Sequence, residues 1–371
     1  MTTKKVLVLA APGFFLKSGY YFRVIRDCEL LSATGYDPEI MVITRKGMKS
    51  QDSVRLSAGQ AIKKLRSADT VFYENIGPLL FSLLRAHKNN RDVAVVHGAI
   101  EELNEYSFRI LKKILYKALL RYALRRFCGI ISVSKPLTDY LVCAHNGTRH
   151  SIHLVPNLPT SSFVDRIQYL WDENNPSATK EKLNLDANRK YICYSGNTQV
   201  WQKPAMLIEA FSQIQTQSNE IDLIILTRDQ AEFRALLERY SINPKRVVLK
   251  TVENTEVPDY LFVSDVLYLV RDQNEVNEVA CPTKGMEYLA SGRPIVASRR
   301  LGDISDLVEI AKGVTLDSTS CNDASQLAQA IVDLSSNNAE HIERPDFDSY
   351  RIEKFSNLIR GLLEGQAVQS I

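Results

Sequence analysis

The segment that most constrains the fold is residues 281–298, CPTKGMEYLASGRPIVAS. An apolar run, residues 265–270 (DVLYLV), precedes it across the polar loop 271–280. Pro282 and Thr283 suit the start of a helix, with threonine as a good N-cap. Gly292 suits a left-handed C-terminal cap, and Pro294 blocks continuation of the helix. A second apolar run, 295–297, follows at once. Two strands joined through a helix imply a parallel pair and a right-handed crossover.

That unit also has chemistry. The first turn of a helix carries unpaired amides at a positive dipole end, which attract phosphate. Lys284 lies in that turn and adds a mobile cation. Glu287 follows Thr283 by four residues and projects from nearly the same face. A carboxylate there can accept hydrogen bonds from a vicinal diol. Phosphate donors beside a diol acceptor describe a site for a ribonucleoside diphosphate. The same residues also fit an ordinary amphipathic helix with a solvated Glu287.

Similar alternation runs through the chain. Apolar runs at 6–10, 38–44, 69–73, 93–96, 130–133 and 153–156 are separated by helical stretches. A second series begins at 191–195 and continues at 222–227, 247–252, 265–270, 295–297 and 314–316. Such alternation predicts α/β architecture with doubly wound parallel sheets. Mixed residues at 160–189, with a turn at Asn174-Asn175-Pro176, place a linker between two domains. A chain of 371 residues is long for one core, and two domains agree with that length.

The loop after the first strand carries Gly13 and Gly19, six apart, which is not the dinucleotide fingerprint GxGxxG. It reads either as a flexible connection or as a place where backbone approaches a ligand. His97 ends the strand VAVV, at the edge where ligands bind in such folds. A structural hydrogen-bonding role is the other reading, and Glu101 and Glu102 follow on the same loop. Residues 105–128 predict a helix with an apolar face of Phe108, Leu111, Leu115, Ala118 and Tyr122. Beside it run Arg109, Lys112, Lys113, Lys117, Arg121, Arg125 and Arg126, with Glu105 as the one acid. This basic stripe suits an anionic lipid surface, or else a solvated helix face.

A net charge of +3 gives no overall demand for nucleic acid. Six scattered cysteines form no CxxC pair, which argues against a disulfide framework or zinc site and for a reducing compartment. No run approaches the roughly 20 apolar residues of a membrane span. Lys4 and Lys5 precede an apolar run, but Pro12 and Gly13 end it too early for a secretory signal.

The assembled pieces resemble a retaining glycosyltransferase of the GT-B fold, family 4. The matches are HG at His97, ISVS at 131–134, LVPN at 154–157, YSGNTQVWQKP at 194–204 and PTKGMEYLASGRPIVAS at 282–298. The variants around WQK and HG are similar to those of members that build bacterial surface polysaccharides. The resemblance implies two Rossmann-like domains with a cleft between them: acceptor-binding at 1–165, donor-binding at 166–345, and a returning helix at 346–371. It implies that Glu287 holds the donor ribose, and that Thr283 and Lys284 form the turn near the diphosphate. Lys203 is implied to stabilise the leaving diphosphate, with Gly196 and Asn197 in the turn beside it. His97 is placed near the transferred sugar and Gly19 in the first loop.

Two positions depart from the family pattern. Val279 stands where an acid is usual, with Glu278 beside it as the substitute and Glu275 nearby. Asn197 and Thr198 occupy the stretch where an arginine is frequent, so Arg228 and Arg271 are the substitutes. The expected reaction moves a sugar from a nucleoside diphosphate, with UDP as carrier, to a glycan or polyprenyl-linked acceptor. It needs no cofactor or metal, and the protein is expected in the cytoplasm, peripheral to the membrane. A non-catalytic scaffold of the same fold and a nucleotide-sugar epimerase are the alternatives.

Overall fold

The computed structural model describes residues 4–11, 19–44, 47–50, 55–85, 91–99, 110–145, 151–336 and 342–365. The chain forms two compact units. The first takes Met1–Ser161, Val279–Thr283 and Arg351–Ile371; the second takes Ser162–Glu278 and Lys284–Tyr350.

In the first unit, eight strands form one sheet: β1 (Lys4–Ala10), β2 (Tyr36–Thr44), β3 (Gly47–Ser50), β4 (Arg55–Leu56), β5 (Thr70–Glu74), β6 (Val93–Val96), β7 (Gly129–Ser132) and β8 (Ile152–Leu154). Their order is β4-β3-β2-β1-β5-β6-β7-β8. Six are parallel, and β3 and β4 extend the edge antiparallel. The central strands β5, β6 and β7 are buried at every residue. This is why they read as largely apolar runs, as strands covered on both faces do. Helix Ser356–Glu364 belongs to this unit, and Leu362 occupies the space that a side chain on Gly129 would need.

In the second unit, six parallel strands follow the order β11-β10-β9-β12-β13-β14. They are β9 (Lys190–Ser195), β10 (Ile221–Leu226), β11 (Val247–Lys250), β12 (Val266–Leu269), β13 (Ile295–Ser298) and β14 (Val314–Leu316). Tyr194, Phe211, Phe233 and Tyr268 pack at the centre of its core. The helix after β12 spans Thr283–Ser291, and Gly292 closes it at φ 69°, the left-handed cap its sequence predicts.

Three expectations are corrected. The edge strands β3 and β4 give no apolar run in the sequence, because they are short and polar. Residues 160–189 hold two helices, Ser161–Glu173 and Pro176–Lys182; Phe163, Val164, Ile167 and Leu170 bury the face of the first. The basic helix, Ile110–Arg126, turns a different face inward. Leu119, Leu120 and Ala123 are buried, whereas Leu111 is 83% exposed, and Ile114, Leu115 and Ala118 are also exposed. A helix rich in leucine on several faces does not reveal its buried face by spacing alone. Arg109, Phe108, Glu105, Glu101, Glu102 and Gly13 lie outside the described residues.

Candidate functional site

Sheet order decides where a ligand can enter. In the second unit all strands run the same way, but the order in which they are added reverses between β9 and β12, with β10 and β11 on one side and β13 and β14 on the other. Crevices at such reversals, beyond the carboxyl ends of the strands, bind ligands. Gly196 leaves β9 there, and Arg271 and Asp272 leave β12.

Gly196 is required on steric grounds. A Cβ at this position would lie 2.7 Å from the Tyr194 hydroxyl and 3.0 Å from Gln202 Oε1. The Tyr194 hydroxyl donates to the Asn197 carbonyl at 2.6 Å and stands 3.0 Å from Gln202 Oε1. Gln202 Nε2 in turn donates to Asn197 Oδ1. The turn is thus folded around one tyrosine hydroxyl, and Asn197 serves as its hydrogen-bonding frame. Thr198 continues it by donating to Asp229 through its amide (2.8 Å) and its hydroxyl (2.9 Å).

Lys203 ends this turn in the left-handed conformation, at φ 47°. For a residue with a Cβ that conformation costs about 1–2 kcal/mol. Tyr268 helps hold it, donating from its hydroxyl to the Lys203 carbonyl at 2.8 Å. The strained backbone directs the ammonium toward β12 and the last helices of the unit. Nζ lies 2.9 Å from Asp272 Oδ1 and donates to Asn322 Oδ1 at 2.6 Å. Neither Asp272 nor Asn322 was singled out from sequence. Asp272 had a usable signal, its place two residues past an apolar run; Asn322 had none.

Lys284 corrects the expectation of a mobile cation. Its Nζ donates to Gln202 Oε1 and sits 4.4 Å from the centre of the Tyr194 ring. Burial, with Arg271 nearby, lowers its pKa well below the usual lysine range. It therefore braces the 196–203 turn against the helix. Thr283 begins that helix, and Glu287 is buried within it. Burial pushes the Glu287 carboxyl up to about 7, against the opposing pull of Lys284.

The substitutes named for the missing family residues lie as follows. Arg271 exchanges hydrogen bonds with Ser298: its amide donates to the serine hydroxyl, which donates to the Arg271 carbonyl, both at 2.7 Å. Its Nη1 donates to Asn277 Oδ1 at 3.3 Å. Arg228 is exposed just past β10. Glu278 accepts from Arg300 Nη2 at 2.9 Å. Val279 is buried in the first unit, and its carbonyl accepts from Ser134 Oγ at 2.6 Å.

In the first unit the equivalent reversal lies between β1 and β5. Gly19 opens helix Gly19–Ala33, and the loop before it lies outside the described residues. His97 follows β6 and is buried; its Nε2 is 3.1 Å from Glu74 Oε2.

Residues 189–337 match the family model described as Glycosyl transferases group 1. This segment is a group 1 glycosyltransferase domain. It contains the Gly196 turn, Lys203, Lys284 and Glu287. Solved structures extend the likeness over both units. A glycosyltransferase from Rickettsia africae is 14% identical at a TM-score of 0.69, covering 98% of this chain and 99% of that one. WaaG, a glycosyltransferase involved in lipopolysaccharide biosynthesis, is 14% identical at a TM-score of 0.69, covering 96% of this chain and 100% of that one. Anabaena HepE in complex with UDP-glucose is 15% identical at a TM-score of 0.60, covering 96% of this chain and 94% of that one. The fold is that of a GT-B glycosyltransferase, with two Rossmann-like units. No curated protein sequence matches the chain.

Proposed function

We propose that this glycosyltransferase transfers a sugar from a nucleoside diphosphate sugar, with UDP as the expected carrier, and retains the anomeric configuration. The observation that carries this is Lys203, aimed by a strained backbone at the switch point of a group 1 domain. Departure of the diphosphate develops negative charge, which Lys203 and the amides near Thr283 stabilise. Arg271 or Arg228 supplies the further cation. Glu287, when ionised, accepts from the ribose hydroxyls. A donor phosphate oxygen takes the acceptor proton on the same face, a route with no metal and no covalent nucleophile. HepE, whose structure holds UDP-glucose, supports UDP as carrier.

The acceptor is a glycan or polyprenyl-linked sugar of surface polysaccharide, met at the cytoplasmic membrane face. WaaG, named for lipopolysaccharide biosynthesis, supports that class. So does helix Ile110–Arg126, where Leu111, Ile114 and Leu115 are exposed among Lys112, Lys113, Lys117, Arg121 and Arg125. The neighbouring helix Gly77–Arg85 exposes Leu80 and Leu83. Apolar side chains within a cationic field suit an anionic bilayer surface. Among the described residues no helix is long and apolar enough to cross a membrane.

The test is a panel of sugar nucleotides, with release of the nucleoside diphosphate and the product anomer read by NMR. Transfer with retention is expected for one donor. Val279, standing where an acid is usual, favours a second reading as a non-catalytic scaffold. Nucleotide binding with no turnover on any donor would support that reading instead.

A further inference from the structure

The switch point of the first unit holds a buried polar cluster that the reaction above leaves unused. Glu74 closes β5, His97 follows β6, and Asp27 lies on helix Gly19–Ala33; all three are buried. One oxygen of each carboxylate and a ring nitrogen of His97 lie within 4.8 Å of one another. Arg26 directs both Nε, at 2.8 Å, and Nη2 to the same oxygen of Asp27, Oδ1. Its Nη1 donates to the Pro156 carbonyl at 2.8 Å and to Asn157 Oδ1 at 3.1 Å. On the other side, the Tyr20 hydroxyl accepts from the Ala11 amide at 2.9 Å and reaches the Glu74 carbonyl at 3.2 Å. Its ring stands edge-on to His97.

Three atoms are left over. Asp27 Oδ2, Glu74 Oε1 and His97 Nδ1 are buried with no hydrogen-bond partner among the described residues. Two bare carboxylate oxygens in one buried cluster are strongly unfavourable. A single proton between them turns repulsion into a hydrogen bond. Glu74 then has one oxygen left, Oε2, as a neutral acceptor for His97 Nε2–H at 3.1 Å.

We propose that a proton is shared between Asp27 Oδ2 and Glu74 Oε1, and that neutral Glu74 is a positioning residue that fixes His97 as its Nε2–H tautomer. Nδ1 is thereby kept as an acceptor, and the group it suits is a substrate hydroxyl. This hydroxyl-accepting role rests on the reading of His97 as a residue of the sugar site. The directions agree: burial and the charge of Asp27 raise the Glu74 pKa, while burial and the Arg23 and Arg26 guanidiniums lower that of His97 against the opposing effect of the Asn157 side chain. Those same two cations oppose a divalent ion in this cluster.

Glutamine mimics the protonated acid, since its amide can donate to Asp27 and its oxygen can accept from His97. In Glu74→Gln the long-range 15N–1H imidazole spectrum should keep the His97 proton on Nε2, and in Glu74→Leu it should not. Infrared difference spectra should show a protonated-carboxyl band in the wild type at pH 7 that Glu74→Gln lacks. With a sugar donor, kcat should fall about tenfold further in Glu74→Leu than in Glu74→Gln. An Nδ1–H tautomer in the wild type, no protonated-carboxyl band, or a stoichiometric divalent ion that Glu74→Gln removes would each overturn the shared proton. Wild-type kcat in His97→Ala would overturn the hydroxyl-acceptor role alone, with the two spectra still deciding the proton.

Discussion

Lys203 and Asp272 form an ion pair of 2.9 Å across the point where the second sheet reverses. The pair joins the turn after β9 to the end of β12. It gives the strained lysine a partner that, in the proposed function, an incoming diphosphate must replace. Asp272 is more than a third exposed, and such pairs contribute at most about 1 kcal/mol. Exchange of partners is therefore easy. Asp272→Asn removes both the competitor and a charge that repels phosphate, so UDP should bind about three- to tenfold more tightly by calorimetry. Weaker binding would mean that Asp272 holds Lys203 in its working position.

Removal of the cation itself should act on the rate. Lys203→Ala should lower kcat/KM by about 10²–10³, or about 3 kcal/mol, as loss of one group that stabilises developing charge does. Wild-type turnover in that variant would remove Lys203 from the mechanism.

Glu287 should link stability and donor binding to pH with opposite signs. Its carboxyl is raised to about 7 in the folded chain. Below its ordinary pKa the acid is neutral in both states and folding incurs no cost. Above 7 folding buries a charge, so stability should fall as pH rises between about 4.5 and 7, by about 3 kcal/mol at most. Glu287→Gln should flatten that part of the denaturation profile. Diol binding needs the ionised form and should strengthen as pH rises through 7; in Glu287→Gln it should weaken by about 1.5–3 kcal/mol.

Gly196→Ala tests the turn. The new methyl group would lie within 3.0 Å of both the Tyr194 ring and Gln202. Relief requires movement of the hydroxyl around which residues 197–202 are folded. A stability loss of about 1–3 kcal/mol is expected from thermal or urea denaturation, with a larger proportional loss of UDP affinity. An unchanged midpoint and affinity would show that the turn adapts.

For the proposed lipid surface, Leu111→Asp and Ile114→Asp should reduce flotation with anionic liposomes at little cost in stability, since both side chains are exposed. Equal binding of the wild-type protein to neutral and anionic vesicles would count against the cationic contribution of Lys112, Lys113 and Lys117.

Much of the second unit was legible because its signals are local. Strands buried on both faces become apolar runs, and Gly292 marks the end of its helix through its own φ. The order of PTK, EYLA and PIVAS marks candidate residues by type, but it does not give their partners. Lys284 reads as a free cation at the start of a helix. Only packing reveals Tyr194 beneath its ammonium and Gln202 at its tip. The buried face of helix Ile110–Arg126 does not follow from spacing, because leucines occur on several of its faces. Which one is covered depends on elements far away in sequence.

The sequence by itself determined the α/β class, the two series of parallel strands and the helix cap at Gly292. Hydrophobic period, strand length and turn chemistry act over a few residues, so a linear reading recovers them. Tertiary structure alone decided the strand order, and with it the two switch points. It also brought Asp272 and Asn322 to Lys203, and Asp27 and Glu74 to His97. Those pairings join residues from 23 to 119 positions apart. They exist because the β–α–β crossovers bring the carboxyl ends of distant strands to one edge.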